Sequence, residues 1–397
     1  MTTAAPLSPT PHAATAHHAA AAPKPTIPFM LPALHEGDIA AVNAVLKSGM
    51  LRAAKKCEEL EQRLGGMSGA KHAMTCANGT CALQLAYEPL FKRGDDVLVP
   101  AWSYIATAAM LVTRGCNPIF VDADPATGQI DLADAAKRVT KKTTGIAATH
   151  MYGCPVDIDA TQALAQQHGL KVVYDCAQSH LSTWRGKGVG AFGDAVTYSF
   201  YATKNLGTGE GGMITCNDDA LATQIKLLRS HGETEKYLHE QVGYNYRMND
   251  MAGAIACSRL DRLPQETAAR QAAAAKYDAL FATPEFAPFI TPLKPTPGAV
   301  AVYHLYTIKL NISKLKCSRD EFGKQLMAEG VPNAVHYPRT LPQQPAFKDF
   351  MAAQSAGWPV ADALARSVLS LPMHHGLTPA HFEQIAAAVR KVIKANT

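Results

Sequence analysis

Val196-Thr197-Tyr198-Ser199-Phe200-Tyr201-Ala202-Thr203-Lys204-Asn205-Leu206 runs straight into Gly207-Thr208-Gly209-Glu210-Gly211-Gly212. The first half has the apolar continuity of a buried strand, and the second holds too much glycine for a helix or sheet interior. Lys204 stands at the junction. Lysine is seldom buried without a partner, so here it either snorkels to solvent or is held for chemistry.

Upstream, short apolar strands alternate with helices. Segments 72–76, 96–99, 118–121, 144–148 and 171–174 read as strands, and 80–91, 103–113 and 161–167 as helices. That alternation implies a mainly parallel sheet covered on both faces. Two helices come first, one over 39–46 with Asp38 as its cap and one over 58–64. Ligands of such a sheet collect on the loops that follow the carboxyl ends of its strands.

Three of those loops carry chemistry. Cys76-Ala77-Asn78-Gly79-Thr80-Cys81 lies between a strand and a helix. It offers free backbone amides and a helix N-terminus to an anion, ideally a phosphate, or else it is an ordinary Asn cap. Trp102, in Pro100-Ala101-Trp102-Ser103-Tyr104, either stacks on a flat ring or belongs to the core. Asp175 ends the apolar strand Val172-Val173-Tyr174; a carboxylate there needs a cation or donor, unless it caps a helix. His150, at the end of another strand, reads as a structural residue.

A phosphate cradle, a stacking aromatic, a buried carboxylate and a strand-end lysine on one sheet are together what pyridoxal 5'-phosphate requires. It needs an amine for its aldehyde, an acid for its pyridine nitrogen and a nest for its phosphate.

Composition narrows the remaining classes. With 397 residues, 47% of them hydrophobic, the chain can bury a large core and form two domains. The net charge of +5 comes from scattered Lys and Arg, which argues against a nucleic-acid partner. Nine cysteines without a C-x-x-C pair suggest neither zinc nor a disulfide framework, and point to a reducing, cytoplasmic setting. No membrane span is expected. Residues 1–26 are rich in Ala, Pro, Thr and His and read as a disordered tail, in which His12, His17 and His18 are a weak hint of metal.

Asp175-Cys176-Ala177-Gln178-Ser179-His180, Ser199-Phe200-Tyr201-Ala202-Thr203-Lys204-Asn205-Leu206 with Gly209-Glu210-Gly211-Gly212, and Gly243-Tyr244-Asn245-Tyr246-Arg247-Met248 resemble the DegT/DnrJ/StrS family. These are pyridoxal-phosphate aminotransferases acting on keto sugars and ketocyclitols. The likeness continues through Tyr303-His304-Leu305-Tyr306 and Leu369-Ser370-Leu371-Pro372-Met373-His374. It implies that Lys204 forms the internal aldimine and moves protons, and that Asp175 pairs with the pyridinium nitrogen. Gln178 would sit by the phenolic oxygen, Gly79, Thr80 and Ser199 on the phosphate, and Trp102 against the ring. It also implies that Asn245 reaches the neighbouring subunit's phosphate, so that a homodimer shares its active sites. The amino donor would be Glu or Gln. A sugar dehydrase of the same fold carries histidine at the lysine position, and a catalytically idle cofactor-binding or regulatory homologue is the other alternative.

Three departures fall on loops near the usual substrate. Ser48-Gly49-Met50-Leu51-Arg52-Ala53-Ala54 lacks the family's second glycine, Pro342 replaces a histidine, and Leu181 replaces a glycine. Arg52 either meets an anionic substrate group or is simply solvated. The fold implied is of the aspartate-aminotransferase type: a large α/β/α cofactor domain over 27–262 and a smaller α/β domain over 263–397. In that smaller domain a strand is expected over 306–310, with helices over 319–328 and 380–393, after an Ala-rich helical stretch over 251–280.

Overall fold

The computed structural model describes residues 27–31, 34–352, 354 and 356–397. The expectations for residues 1–26, including His12, His17 and His18, lie outside them. The central sheet has seven strands: β1 (His72–Cys76), β2 (Asp96–Pro100), β3 (Asn117–Val121), β4 (Thr143–Thr149), β5 (Lys171–Asp175), β6 (Ala195–Ser199) and β7 (Gly212–Cys216). Their spatial order is β1-β7-β6-β5-β4-β2-β3. Pairings from β6 to β3 are parallel, whereas β7 runs antiparallel to both its neighbours. The Gly207–Gly212 stretch therefore turns the chain back beside the strand that delivers Lys204.

Alternate side chains of the strands feed two cores. In chain order the helices before and between these strands, and just after the last, are α1 (Glu36–Ser48), α2 (Lys55–Ser68), α3 (Gly79–Leu90), α4 (Ala106–Arg114), α5 (Leu132–Arg138), α6 (Ile158–His168) and α7 (Asp219–Arg229). Val97, Val99, Phe120, Val173 and Ile214 pack on one face with α3, α4 and α7, while Leu98, Val121, Ile146, Val172, Tyr174 and Val196 fill the other. In the middle of β4, a Cβ on Gly145 would lie 2.3 Å from the Phe91 ring, so only hydrogen there lets Phe91 close on the sheet. Each fully buried Val, Leu or Ile contributes about 1.5–3 kcal/mol, which makes these continuous runs the main source of the sheet's stability.

Several boundaries differ from expectation for local reasons. The helix expected over 103–113 starts only at Ala106, because Ser103 is committed to a buried hydrogen bond with Thr149 at 2.9 Å. Asp38 caps from inside rather than as the N-cap: the N-cap is His35, and Asp38, at the third position of the helix Glu36–Ser48, completes a capping box by accepting from the His35 amide at 2.9 Å and pairs with Arg262 at 2.7 Å. The Ala-rich stretch over 251–280 is two helices, Asp250–Leu260 and Leu263–Phe281, and Pro264 sits in the first turn of the second, where a missing amide costs nothing.

A second, antiparallel sheet joins Ile290–Pro292, Tyr306–Leu310 and Val368–Leu371. Its core, around Tyr277, Phe281, Tyr306, Phe322 and Val389, also takes in Ile27 from the start of the described chain. We propose a division at residue 262, between the two helices. The strand over 306–310 and the helix over 319–328 match their expected bounds.

Candidate active site

The loops that chemistry singled out meet at one end of the large sheet. β6 ends on Ser199, and the N-terminus of α3 lies against it so tightly that a Cβ on Gly79 would come within 2.6 Å of Ser199 Cβ. Asn78 caps the helix, its side chain accepting from the Cys81 amide at 2.9 Å. Among the described residues the amides of Gly79 and Thr80 have no hydrogen-bond partner, and Thr80 is exposed. Cap and cradle thus coexist: two unclaimed donors at the positive end of a helix suit an anion. Ser199 Oγ adds a nearby hydroxyl, accepting from the Tyr201 amide at 3.3 Å.

Asp175 closes β5, buried to 5% exposure, and no helix follows for it to cap. One carboxylate oxygen accepts from Thr107 Oγ1 at 2.7 Å and the other from the Ala177 amide at 3.0 Å. Burial raises its pKa above the usual carboxylate value, while Thr107, Ala177 and Lys204 pull the other way. Lys204 stands on a turn closed by its own amide on the Tyr201 carbonyl at 2.8 Å. Its side chain is partly buried and, among the described residues, has neither a hydrogen bond nor an ion pair. Burial depresses its pKa from 10.5 to about 8, and Asp175 opposes the shift. Three imidazoles face it and stay neutral: His180 is pushed to about 3 and His336 to about 4, and His304 well down, by burial first and by the lysine's charge second. Asp175 is therefore the anion that Lys204 feels.

Gln178 is fixed at both ends, its oxygen accepting from the Tyr152 amide at 2.7 Å and its nitrogen donating to Tyr337 Oη at 3.0 Å. His150 is structural in its contacts: it stacks on Tyr174 at 4.9 Å and accepts from the Val156 amide at 3.1 Å. Asn245 is exposed, in a segment tied to the start of α3 by the Ala77 amide on the Tyr246 carbonyl at 2.7 Å. Arg52 is exposed as well.

Trp102 does not face the site. Its indole is fully buried, edge-on to Tyr152, with Nε1 donating to the Tyr337 carbonyl at 3.2 Å. A side chain with no accessible face cannot stack on a ligand, so the stacking expectation for Trp102 is corrected. Tyr104, two residues on in the same loop, is 58% exposed, with its ring 6.0 Å from that of Tyr337. Tyr104, Thr107 and Tyr337 went unread in the sequence. The first was signalled by sharing the loop of Trp102; Tyr337 arrives from the far end of the chain with no local signal.

The DegT/DnrJ/EryC1/StrS aminotransferase family model matches residues 32–390. The chain belongs to this family. Among its relatives is the UDP-2-acetamido-2-deoxy-3-oxo-D-glucuronate aminotransferase of Pseudomonas aeruginosa, 37% identical over 88% of this chain and 94% of that one. Another is the pleiotropic regulatory protein of Geobacillus stearothermophilus, also 37% identical, over 84% and 88%. The fold matches Streptomyces venezuelae DesV, solved with a ketimine intermediate, at a TM-score of 0.87 and 32% identity over 94% and 99% of the two chains. It also matches the PLP form of Streptococcus pneumoniae Spr1654, at 0.85 and 26% over 93% and 99%. Membership makes this chain a pyridoxal-phosphate-type aminotransferase of the α/β class. No helix among the described residues is long and apolar enough to cross a membrane.

Proposed function

We propose that the chain moves an amino group from Glu or Gln to a ketone on a sugar or cyclitol, with pyridoxal 5'-phosphate as carrier, in the cytoplasm. The observation that carries this reading is Lys204: a partly buried amine that has no hydrogen bond or ion pair among the described residues, near a buried carboxylate that likewise forms no ion pair among them. The residues fit the cofactor. The free amides of Gly79 and Thr80, with Ser199, suit its phosphate, and Asp175 supplies the anion for a protonated ring nitrogen. The exposed Tyr104 takes the stacking role in place of Trp102. When bound, the cofactor supplies an aldehyde to receive the amine and an electron sink. Lys204 provides the nucleophile and, once freed, moves the proton at the reacting carbon.

Purified protein incubated with Glu or Gln should change from the aldehyde to the amine absorbance of the cofactor. With 2-oxoglutarate as acceptor, at least one aminosugar or aminocyclitol should then be consumed. No spectral change with any amino acid would sink the reading and favour the regulatory alternative, which the Geobacillus relative's name keeps in view. Gly79→Ala should weaken cofactor uptake about tenfold and cost about 1–3 kcal/mol, since the new methyl meets Ser199. Unchanged uptake would place the phosphate elsewhere.

We also propose a homodimer in which Asn245 serves the partner's site. Asn245 is exposed beside a hairpin, Glu233–Glu235 with Leu238–His239, near which Tyr237 and Val242 are 82% and 93% exposed, an apolar arm suited to a second copy. Lys204→Ala and Asn245→Ala chains should each be weak or inactive alone. Dissociated and reassociated together, they should recover about a quarter of wild-type activity, because half the dimers hold one intact site. Recovery of nothing would put Asn245 in its own subunit's site.

A further inference from the structure

Behind Asp175 lies a group of hydroxyls that nothing above assigns. Thr107 Oγ1 donates to Asp175 at 2.7 Å; Ser103 Oγ stands 3.3 Å from Thr107 Oγ1 and 2.9 Å from Thr149 Oγ1, and the two threonine hydroxyls are 3.4 Å apart. All are buried, Thr107 completely, Ser103 to 2% exposure and Thr149 to 5%. A hydroxyl has one proton, so once Thr107 gives its own to the carboxylate its oxygen must accept from Ser103 or Thr149. The carboxylate at one end therefore sets the direction of the whole chain. Thr107 is the buried polar residue of α4, whose other buried residues are Ala106, Ala108 and Leu111. A bare hydroxyl there would cost free energy without the acceptor it has found.

We propose that Thr107 is a positioning residue for the cofactor acid: backed by Ser103 and Thr149, its hydroxyl fixes the orientation of Asp175 and keeps it ionised. This rests on the pyridoxal-phosphate reading of the site. A carboxylate in so dry a place tends to take up a proton, and a neutral acid no longer holds a protonated ring nitrogen; a donated hydrogen bond stabilises the anion and opposes that loss. Of the two donors to the Asp175 carboxylate among the described residues, the Ala177 amide is backbone and fixed, so the side-chain share of the task falls to Thr107.

Thr107→Val keeps the shape and deletes the hydroxyl. Dissociation constants should be measured for pyridoxamine phosphate and for its carbocyclic analogue, which has CH in place of the ring nitrogen. The expected result is about tenfold weaker binding of pyridoxamine phosphate, with the analogue changed by less than about twofold, and recovery in Thr107→Ser. In the holoenzyme, kcat should fall by a similar factor while KM for the amino donor stays put. Equal weakening of both ligands would mean that Thr107 only packs α4 and would overturn the proposal, as would no weakening at all. If the valine variant does not fold, Thr107→Ala serves the same comparison. A wild-type protein that binds neither ligand would instead overturn the cofactor reading beneath it.

Discussion

Lys204→Ala should lower turnover by about a thousandfold or more while leaving the fold intact. The variant removes the amine that condenses with the cofactor and the base that moves the proton, and one residue lost from both roles is not compensated by neighbours. His180, His304 and His336 stand near the lysine, but burial keeps them neutral and holds their pKa values low, which makes them poor substitutes. Far-UV spectra and thermal midpoint should match wild type, because Lys204 makes no side-chain bond among the described residues that the fold would lose. A variant with more than about a tenth of wild-type kcat would remove the central assignment.

The same lysine gives a pH dependence with a definite sign. At an ordinary pKa of 10.5 about one amine in three thousand is unprotonated at pH 7, whereas at about 8 the share is about one in ten. The cofactor-free protein should therefore capture pyridoxal phosphate faster as pH rises, levelling off above about 8. A capture rate still climbing steeply past pH 9.5 would mean that burial does not depress this amine.

Much of the site was legible because it sits on the regular part of the chain. Strands buried on both faces must be apolar throughout, so Asp175 and Lys204 stood out as polar residues at the ends of β5 and just past β6. Gly79 was legible for a similar reason: strand, small-residue turn and helix follow one another in sequence. Trp102 misled because its position on the loop was right while its direction was not. The loop runs on to Ala106, turning the indole into the core beneath Tyr152 and leaving Tyr104 at the surface. Tyr337 and His336 could not be placed, since only tertiary folding brings residues so far downstream against Gln178 and Lys204. The division of the Ala-rich stretch at Asp261 was concealed by alanine, which favours helix on both sides of the break.

Asp175→Asn should separate stability from activity. In the cofactor-free fold the buried carboxylate has Thr107 and Ala177 as donors but, among the described residues, no ion-paired cation, and its pKa is raised, chiefly by burial. A raised carboxyl pKa means that the folded state holds its proton more firmly than the unfolded state; stability is gained at low pH and lost as pH rises through the folded value. At pH 7 the wild-type apoprotein therefore carries a cost that asparagine removes. The amide also fits: its oxygen keeps the Ala177 amide, and its nitrogen donates to Thr107 Oγ1, whose proton turns to Ser103 or Thr149. The thermal midpoint of the apo variant should equal or exceed wild type. With cofactor present the balance reverses, because a neutral amide cannot hold the ring nitrogen's proton, and kcat should fall by about a hundredfold or more, the scale of breaking a buried ion pair at about 3–5 kcal/mol. An apo variant melting several degrees below wild type would show that the carboxylate contributes to the fold itself, and near-normal kcat would remove it from the cofactor's ring nitrogen.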